Sequence, residues 1–312
     1  MFHLVQKRGW YFAISAVLLL IGAVAMIYSA IALGEPFRLS IDFTGGSLLE
    51  LRFEQPVDLG RVRAIVADVG LAEATVQTLS GDQNVIVRSK PMEVATKEEL
   101  KKLLGEAFGQ PTELRFESVG PTVGQETTRA AGLAILASSI MILAFIALAF
   151  RSVPNAFRYG VCAIAKMLHD VFLLLGLLSI MGLLAGWEVD SLSLTAVLTV
   201  VGFSVQDVIV VFDRIRENIN RRRGEPFETI VNRSLLETLH RSLATQLNAI
   251  FVMISIIFFG GVTIRQFMLI MLIGMVTGTY SSLFFAVPLL VVWERGELGR
   301  FFRRLVGKGA TA

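Results

Sequence analysis

The sequence has little charge and almost no cysteine. Only 18% of its 312 residues are charged, whereas soluble domains have about a quarter. The single cysteine, Cys162, excludes a disulfide framework within the chain and, because it lies in an apolar run, is interpreted as a packing residue. The three histidines form no H-E-x-x-H zinc motif, and Ser204 has no recognisable dyad partner. An intramembrane hydrolase is therefore disfavoured, and we expect no enzyme activity, metal or cofactor.

Long apolar runs take the place of charge. Hydrophobic residues make up 54% of the chain, and the mean hydropathy is +0.65. Several runs reach roughly 20 residues, enough to cross a hydrocarbon core of about 30 Å. The sequence predicts a polytopic α-helical membrane protein with six transmembrane helices. Their predicted bounds are 10–33, 130–150, 157–184, 192–212, 242–260 and 267–293. The first run exceeds the usual apolar region of a signal peptide, so we expect an uncleaved anchor.

The basic residues indicate how the chain is oriented. They gather before the first run, between runs two and three, between runs four and five, and after run six, whereas the other connections are poor in them. The positive-inside rule then places residues 1–9, the basic loop 213–241 and the tail 294–312 in the cytoplasm. This topology explains the net charge of +3 without nucleic acid. Anionic lipid headgroups are the expected neighbours of the basic segments.

One mixed segment, residues 34–128, is predicted to be an extracytoplasmic domain. Its pattern gives the order β-α-β-β-α-β of the α+β ferredoxin-like motif. Two extended pieces are expected around Gly45 and Gly46, and a hairpin turn at Gly81-Asp82. The first helix has Asp58 as its predicted cap, and the second a capping box formed by Thr96 and Glu99. The domain is expected either to stabilise this face or to contact a partner or substrate.

Ionisable residues inside the predicted spans are the main functional signal. A charged side chain at mid-bilayer costs about 2.5–3.5 kcal/mol on insertion scales and needs a partner, a water-filled cavity or a function. Asp207 lies in span four, with Ser204 on the same face and Gln206 beside it. Span three carries Lys166, His169 and Asp170 at positions i, i+3 and i+4. Arg241 opens span five, followed on its face by Asn248.

Each of these residues also has a structural interpretation. Lys166 and Asp170 are spaced to form a self-neutralising ion pair, and His169 is equally consistent with packing. The charges at 213–217 fit a solvated helix end. Asp207 is interpreted either as a structural partner of Arg241 or as a protonatable carboxylate that a movable Arg241 switches between loaded and unloaded states.

The motifs resemble those of a known family. They occur in the order "IDFTGGSLLELRF", "ESVGPTVGQE", "LHDV", "VGFSVQDVIVVFDRIREN", "ETLHRSLATQLNAI" and "IGMVTGTYSSLFFAVPLLVVW". Together they resemble SecF, the smaller subunit of the SecD–SecF protein-export complex, over nearly the whole chain. The family resembles half of the resistance-nodulation-division transporter architecture.

This resemblance implies a function, a location and a set of partners. The implied location is the bacterial inner membrane, and the implied function is proton-driven assistance of late polypeptide translocation. The implied partners are SecD in a heterodimer, the SecY-E-G channel, YidC, SecA and the unfolded translocating polypeptide.

The resemblance also implies roles for particular residues. Asp207 and Arg241 match the family's proton-relay pair. Asp42, Thr44, Gly45 and Gly46 match its external signature, for which a structural role is implied, and His169 and Asp170 match its "HD" pair.

The chain departs from the family at several positions. Gln206 and Val208 replace an Asn and a Thr beside the aspartate, and Lys166 is unusual in a largely apolar span. Two rival functions remain open: a proton-coupled exporter of lipid or small hydrophobic molecules, and a non-conducting assembly scaffold. An exporter would require a roomy external pocket and a full two-halved chain.

Overall fold

The computed structural model describes residues 4–79, 83–150, 156–222 and 224–296. The chain divides into two units, Leu39–Ala134 and the combination of Met1–Arg38 with Ile135–Ala312. The first unit contains the sheet, and the second contains most of the long helices. Several sequence predictions fall outside the described residues, namely the turn at Gly81-Asp82 and the basic residues Arg151, Arg223, Arg300, Arg303, Arg304 and Lys308.

Six helices in the described part of the chain are long and apolar enough to cross a membrane, as the sequence predicts. They are α1 (Arg8–Leu33, after a 3-10 turn at Val5–Lys7), α5 (Pro121–Phe150), α6 (Ala156–Ala185), α7 (Ser191–Arg221), α8 (Phe227–Phe259) and α9 (Val262–Ser281). A π-helical turn (Ser282–Ala286) and α10 (Val287–Glu294) continue α9 as one span. This chain is a multi-pass membrane protein.

The sheet unit has the predicted β-α-β-β-α-β order. After a short helix α2 (Ile41–Thr44), it runs β1 (Gly46–Arg52), α3 (Leu59–Asp68), β2 (Thr75–Leu79), β3 (Asn84–Ser89), α4 (Val94–Phe108) and β4 (Thr112–Val119). The strands form an antiparallel sheet in the order β2-β3-β1-β4, with a register shift between Glu50 and Leu51. The core of the unit includes Leu49 and Leu51 of β1 and Leu100 and Leu104 of α4.

Local details of this unit confirm one prediction and correct two. Asp58 caps α3 as predicted, because its carboxylate accepts the Gly60 N–H at 2.8 Å. The capping box at Thr96 and Glu99 is wrong, since α4 begins at Val94 with Glu93 as its N-cap residue. The extended piece before Gly45 is also wrong, because Ser40 accepts the Asp42 N–H and starts the one-turn helix α2.

The helices of the membrane unit pack around α7. Buried apolar residues of α7 contact α6, α8 and the end of the sixth span, in clusters that include Val205, Val208 and Phe212 near one end and Val197 and Val200 near the other. The predicted loop 213–241 is mostly helical, because α7 continues to Arg221 and α8 already begins at Phe227. Ion pairs within the hairpin, such as Arg214 with Glu237 at 2.6 Å, support these extensions beyond the apolar run.

Candidate functional site

Four ionisable side chains are buried together in the membrane unit. Lys166, His169 and Asp170 lie on α6, and Asp207 lies on α7. Lys166 is fully buried, and Asp207 keeps only 8% of its surface exposed. Among the described residues, no other Lys, Arg, His, Asp or Glu is buried. The structure thus brings together four residues that the sequence had placed on two separate spans.

Lys166 is the centre of this cluster. Its Nζ lies 2.8 Å from Asp170 Oδ2, one helical turn along α6, which confirms the predicted i, i+4 ion pair. The same ammonium donates to the Ser204 carbonyl oxygen of α7 at 2.8 Å and contacts the Ser204 hydroxyl. That hydroxyl in turn donates to Asp170 Oδ2. Lys166, Asp170 and Ser204 therefore form a polar contact that joins α6 to α7 inside an apolar bundle.

His169 extends the cluster towards the sixth span. Its Nδ1 lies 3.0 Å from Asp170 Oδ1, and its ring stacks on Phe285 of the π turn with a centroid distance of 4.4 Å. Its Nε2 atom is buried without a hydrogen-bond partner among the described residues. The packing interpretation of His169 thus has direct support, although one ring nitrogen is left unsatisfied.

Asp207 lies between three helical elements. The hydroxyls of Ser242 on α8 and Ser282 on the π turn lie beside its carboxylate, and Lys166 of α6 is close enough to attract it electrostatically. Its Oδ2 atom is buried and has no hydrogen-bond partner in the described part of the chain. A buried carboxylate with an unsatisfied oxygen is costly while it is charged.

Three of the predicted site residues do not join the cluster. Arg241, Gln206 and Asn248 are all exposed. Near Arg241 the buried positions of α8 are Thr238, Ser242 and Gln246, and a helix turns about 100° per residue, so Arg241 points to a different side. No ion pair joins the described side chains of Arg241 and Asp207, so the structure does not contain the salt bridge considered for them, and their role as a relay pair stays a prediction.

Four inward-facing residues are not among the predicted site residues: Ser242 and Gln246 of α8, and Ser282 and Phe285 of the π turn. The signal for Ser282 was present, since it belongs to a run of small and polar residues at 277–282. The π turn itself has no clear sequence signature, yet it directs Ser282 to Asp207 and Phe285 to His169. Such turns are often found at functional sites.

Two family models match the chain. The model described as "Protein export membrane protein SecD/SecF, C-terminal" matches residues 99–296, and the model described as "SecD/SecF GG Motif" matches residues 33–57. A protein translocase subunit SecF from Anaerolinea thermophila is 44% identical, with 97% of this chain and 98% of that protein covered. One from Thermobaculum terrenum is also 44% identical, with both chains fully covered.

The chain belongs to the SecF family of protein translocase subunits.

Solved structures agree with this membership. SecDF from Thermus thermophilus, described as a translocon-associated membrane protein, is 33% identical with a TM-score of 0.77 over 94% of this chain. SecDF in a super-membrane-facing form gives 31% identity and a TM-score of 0.64 over 97% of this chain. This SecF-family chain spans 39% and 40% of those two longer chains.

The GG segment of this SecF-family chain has an evident structural basis. Gly45 and Gly46 have φ values of +69° and +118°, which side chains other than glycine rarely adopt. A Cβ on Gly46 would lie 2.6 Å from the Ser89 carbonyl oxygen, and one on Gly124 of α5 would lie 2.8 Å from the Gly45 nitrogen. Thr44 donates to the Ser40 carbonyl at 3.1 Å. The glycines therefore allow α2, β3 and the start of α5 to approach closely.

Proposed function

We propose that this chain pairs with a SecD partner and uses the proton gradient to assist late steps of polypeptide translocation across the bacterial inner membrane. SecF-family membership and the similarity to one part of the SecDF structures support the pairing. The observation that carries the proton step is the position of Asp207, buried among apolar helices with one carboxylate oxygen unsatisfied. Proton movement across 100 mV releases about 2.3 kcal/mol, which repeated cycles convert into directed motion.

The proposed mechanism follows from the contacts of Asp207. In the protonated state the carboxyl is neutral, and the Ser242 and Ser282 hydroxyls suffice as neighbours. Loss of the proton creates a buried anion, which attracts the nearest cation and is unfavourable in apolar surroundings. Helices α7, α8 and the sixth span all contribute side chains here, so a change of charge favours a shift between them. The shift is proposed to reach the extracytoplasmic domain, residues 34–128.

The proposed orientation places both termini in the cytoplasm. Ion pairs support the part of this proposal that puts both ends of the chain on one side of the bundle, and the positive-inside rule selects the cytoplasmic side. Arg8 Nη1 lies 3.2 Å from Glu228, which also pairs with Arg295, and Arg158 pairs with Glu294. In the cell we expect this end to face anionic lipids, SecA and the cytoplasm, with SecY-E-G and YidC as further members of the assembly.

We still propose that Arg241 takes part in the relay, although it forms no ion pair with Asp207 in this structure. Because Arg241 is exposed on α8, it is available for a contact with the SecD partner, or for a contact that forms in another conformation of the helices. The external residues Asp42, Thr44, Gly45 and Gly46 are proposed to maintain the fold of their segment, while Gln206 and Asn248 are proposed to line a surface outside the Asp207 site.

The first test is Asp207→Asn, measured as proton-gradient-dependent export into inverted membrane vesicles that contain the SecD partner. We expect the variant to assemble with SecD and to lose the gradient-dependent increment, because asparagine cannot exchange a proton. The matched control is Asp213→Asn, which removes a carboxylate from the same helix at a side chain that is 59% exposed and paired with Arg216. The control is expected to keep the increment.

Retention of the full increment by an assembled Asp207→Asn variant would refute the proton role. That result would favour the scaffold function, which the self-neutralising pair of Lys166 and Asp170 also suits. Loss of export in both Asp207→Asn and Asp213→Asn would instead indicate that α7 tolerates no change of charge.

A further inference from the structure

The buried cluster contains unequal numbers of cations and anions. Lys166 is its one amine, counted here as an ammonium because it pairs with Asp170, while Asp170 and Asp207 are two carboxylates. With both carboxylates ionised and His169 neutral, the cluster has a net charge of −1; with one proton added, it is neutral. Since net charge in a low-dielectric interior is costly, the composition of the cluster calls for one exchangeable proton.

Lys166 is the basic residue best placed to respond to that proton. Its Nζ contacts the Ser204 backbone, and Ser204 precedes Asp207 by three residues, a rise of about 4.5 Å along α7. A lysine has a flexible four-carbon stem and three rotatable donors, so its ammonium can exchange one acceptor for another without backbone movement. The Asp207 carboxylate offers an oxygen that has no hydrogen-bond partner among the described residues.

The other groups facing Asp207 do not supply a positive charge. Helix α8 presents Ser242, and the π turn presents Ser282. Helix α6 presents Lys166 together with His169 and Asp170, whose side chains already contact each other. Arg241 is exposed on another side of α8. The cation nearest to Asp207 is therefore Lys166 of the third span, whereas the sequence predicts Arg241 of the fifth span.

We propose that Lys166 is a positioning residue that acts as the mobile countercharge of Asp207, held by Asp170 and Ser204 when Asp207 is protonated and drawn to Asp207 when it is ionised. This inference rests on the proposed proton function and adds to it the group that senses the proton. Movement of the ammonium would break the contacts of Lys166 with Ser204 and leave the hydrogen bond from the Ser204 hydroxyl to Asp170, so the charge of Asp207 controls how α6 and α7 are joined.

The test is a titration of Asp207 by infrared difference spectroscopy in the complete complex with SecD, reconstituted in lipid. The carbonyl band that disappears in Asp207→Asn identifies the protonated carboxyl. The test variant is the double change Lys166→Met and Asp170→Asn, which removes both members of an ion pair and so leaves no new unpaired charge. We expect its titration midpoint to differ from that of the unchanged protein by about one pH unit or more, because the variant lacks the ammonium that attracts the Asp207 carboxylate, whereas Asp170 is paired with that ammonium and not with Asp207.

Lys166→Arg is the conservative control and should keep the midpoint near that of the unchanged protein, since it preserves the positive charge. An unaltered midpoint in the double variant would overturn the inference and reduce Lys166 to a structural partner of Asp170. The proposed function is tested separately by export in Asp207→Asn. If that export persists, the proton function fails whatever the titration shows; if export is lost and the midpoint does not move, only the role of Lys166 fails.

Discussion

At the scale of single residues, one position along a helix separates a buried site from an exposed surface. Ser242 faces the Asp207 carboxylate, whereas the adjacent Arg241 does not. The same rule holds on α7, where Asp207 is buried and Gln206 is exposed. Charge and residue type therefore indicated the correct helices, but the inward face of α8 depended on its packing.

A smaller ion cluster in the sheet unit allows a test of single-residue electrostatics. Lys97 and Lys101 of α4 reach Glu113 of β4 at 3.3 and 2.7 Å, and Lys97 also lies over the Phe116 ring at 4.7 Å. The hydrogen bond from Lys101, opposed by partial burial and reinforced by Lys97, lowers the pKa of Glu113 below its ordinary value of 4.5. The ion cluster therefore joins α4 to the edge strand β4.

We expect Glu113→Gln to lower the stability of this unit at pH 7 by about 0.5–1 kcal/mol, as for other partly exposed ion pairs. Because the pKa is lowered on folding, the stabilisation is complete above 4.5 and is lost as the pH falls through the lowered value. Hydrogen exchange of the sheet amides in the full chain would measure both effects. Glu99→Gln, which changes an exposed carboxylate on the adjoining helix α4, should change little; an equal loss there would contradict the prediction.

At the scale of elements, small residues determine how closely the membrane helices pack. Helices α1 and α6 cross at Gly22 and Gly176, where a Cβ on Gly176 would lie 2.7 Å from the Gly22 Cα atom. Helices α7 and α9 approach in the same way, since a Cβ on Gly274 would lie 2.6 Å from a Val200 methyl group. Small residues at such crossings permit the backbone contact that drives association in membranes.

We expect Gly176→Ala to destabilise the packing of α1 on α6 by about 1–3 kcal/mol, because the added methyl group meets backbone and cannot be relieved by a rotamer change. Thermal unfolding of the full chain in detergent would show this as a lower midpoint. Gly132→Ala on α5 is the matched control, because its Cβ would meet nothing within 4 Å. A similar loss in both variants would contradict the prediction, because alanine is the better helix former and the methyl group added at position 132 meets nothing.

At the scale of the whole molecule, the described helices differ greatly in how much of their surface they bury. Helices α1 and α5 leave most of their apolar side chains exposed, whereas α7 and the sixth span are the most enclosed of the six described spans. Exposed apolar helix faces suit lipid or the helices of another membrane subunit. This distribution agrees with a chain that corresponds to one part of a longer SecDF protein.

The proposed orientation predicts the labelling of single cysteines. In a Cys162→Ser background, Asn220→Cys at the exposed end of α7 should react with a membrane-impermeant thiol reagent only in inverted vesicles. Glu106→Cys on the exposed side of α4 should react only in right-side-out vesicles. Labelling of both cysteines from the same side would refute the assignment from the positive-inside rule.

The sequence by itself determined the number of spans, the β-α-β-β-α-β unit, the family and the buried ionisable residues. These depend on local hydropathy, periodicity and motifs, all of which can be read along the chain. The tertiary structure decided what the ionisable residues contact. Lys166 reaches across to Ser204, the π turn directs Ser282 to Asp207, and Arg241 faces away. The physical reason is that contacts between helices depend on rotation and crossing, and a shift of one residue turns a side chain by about 100°.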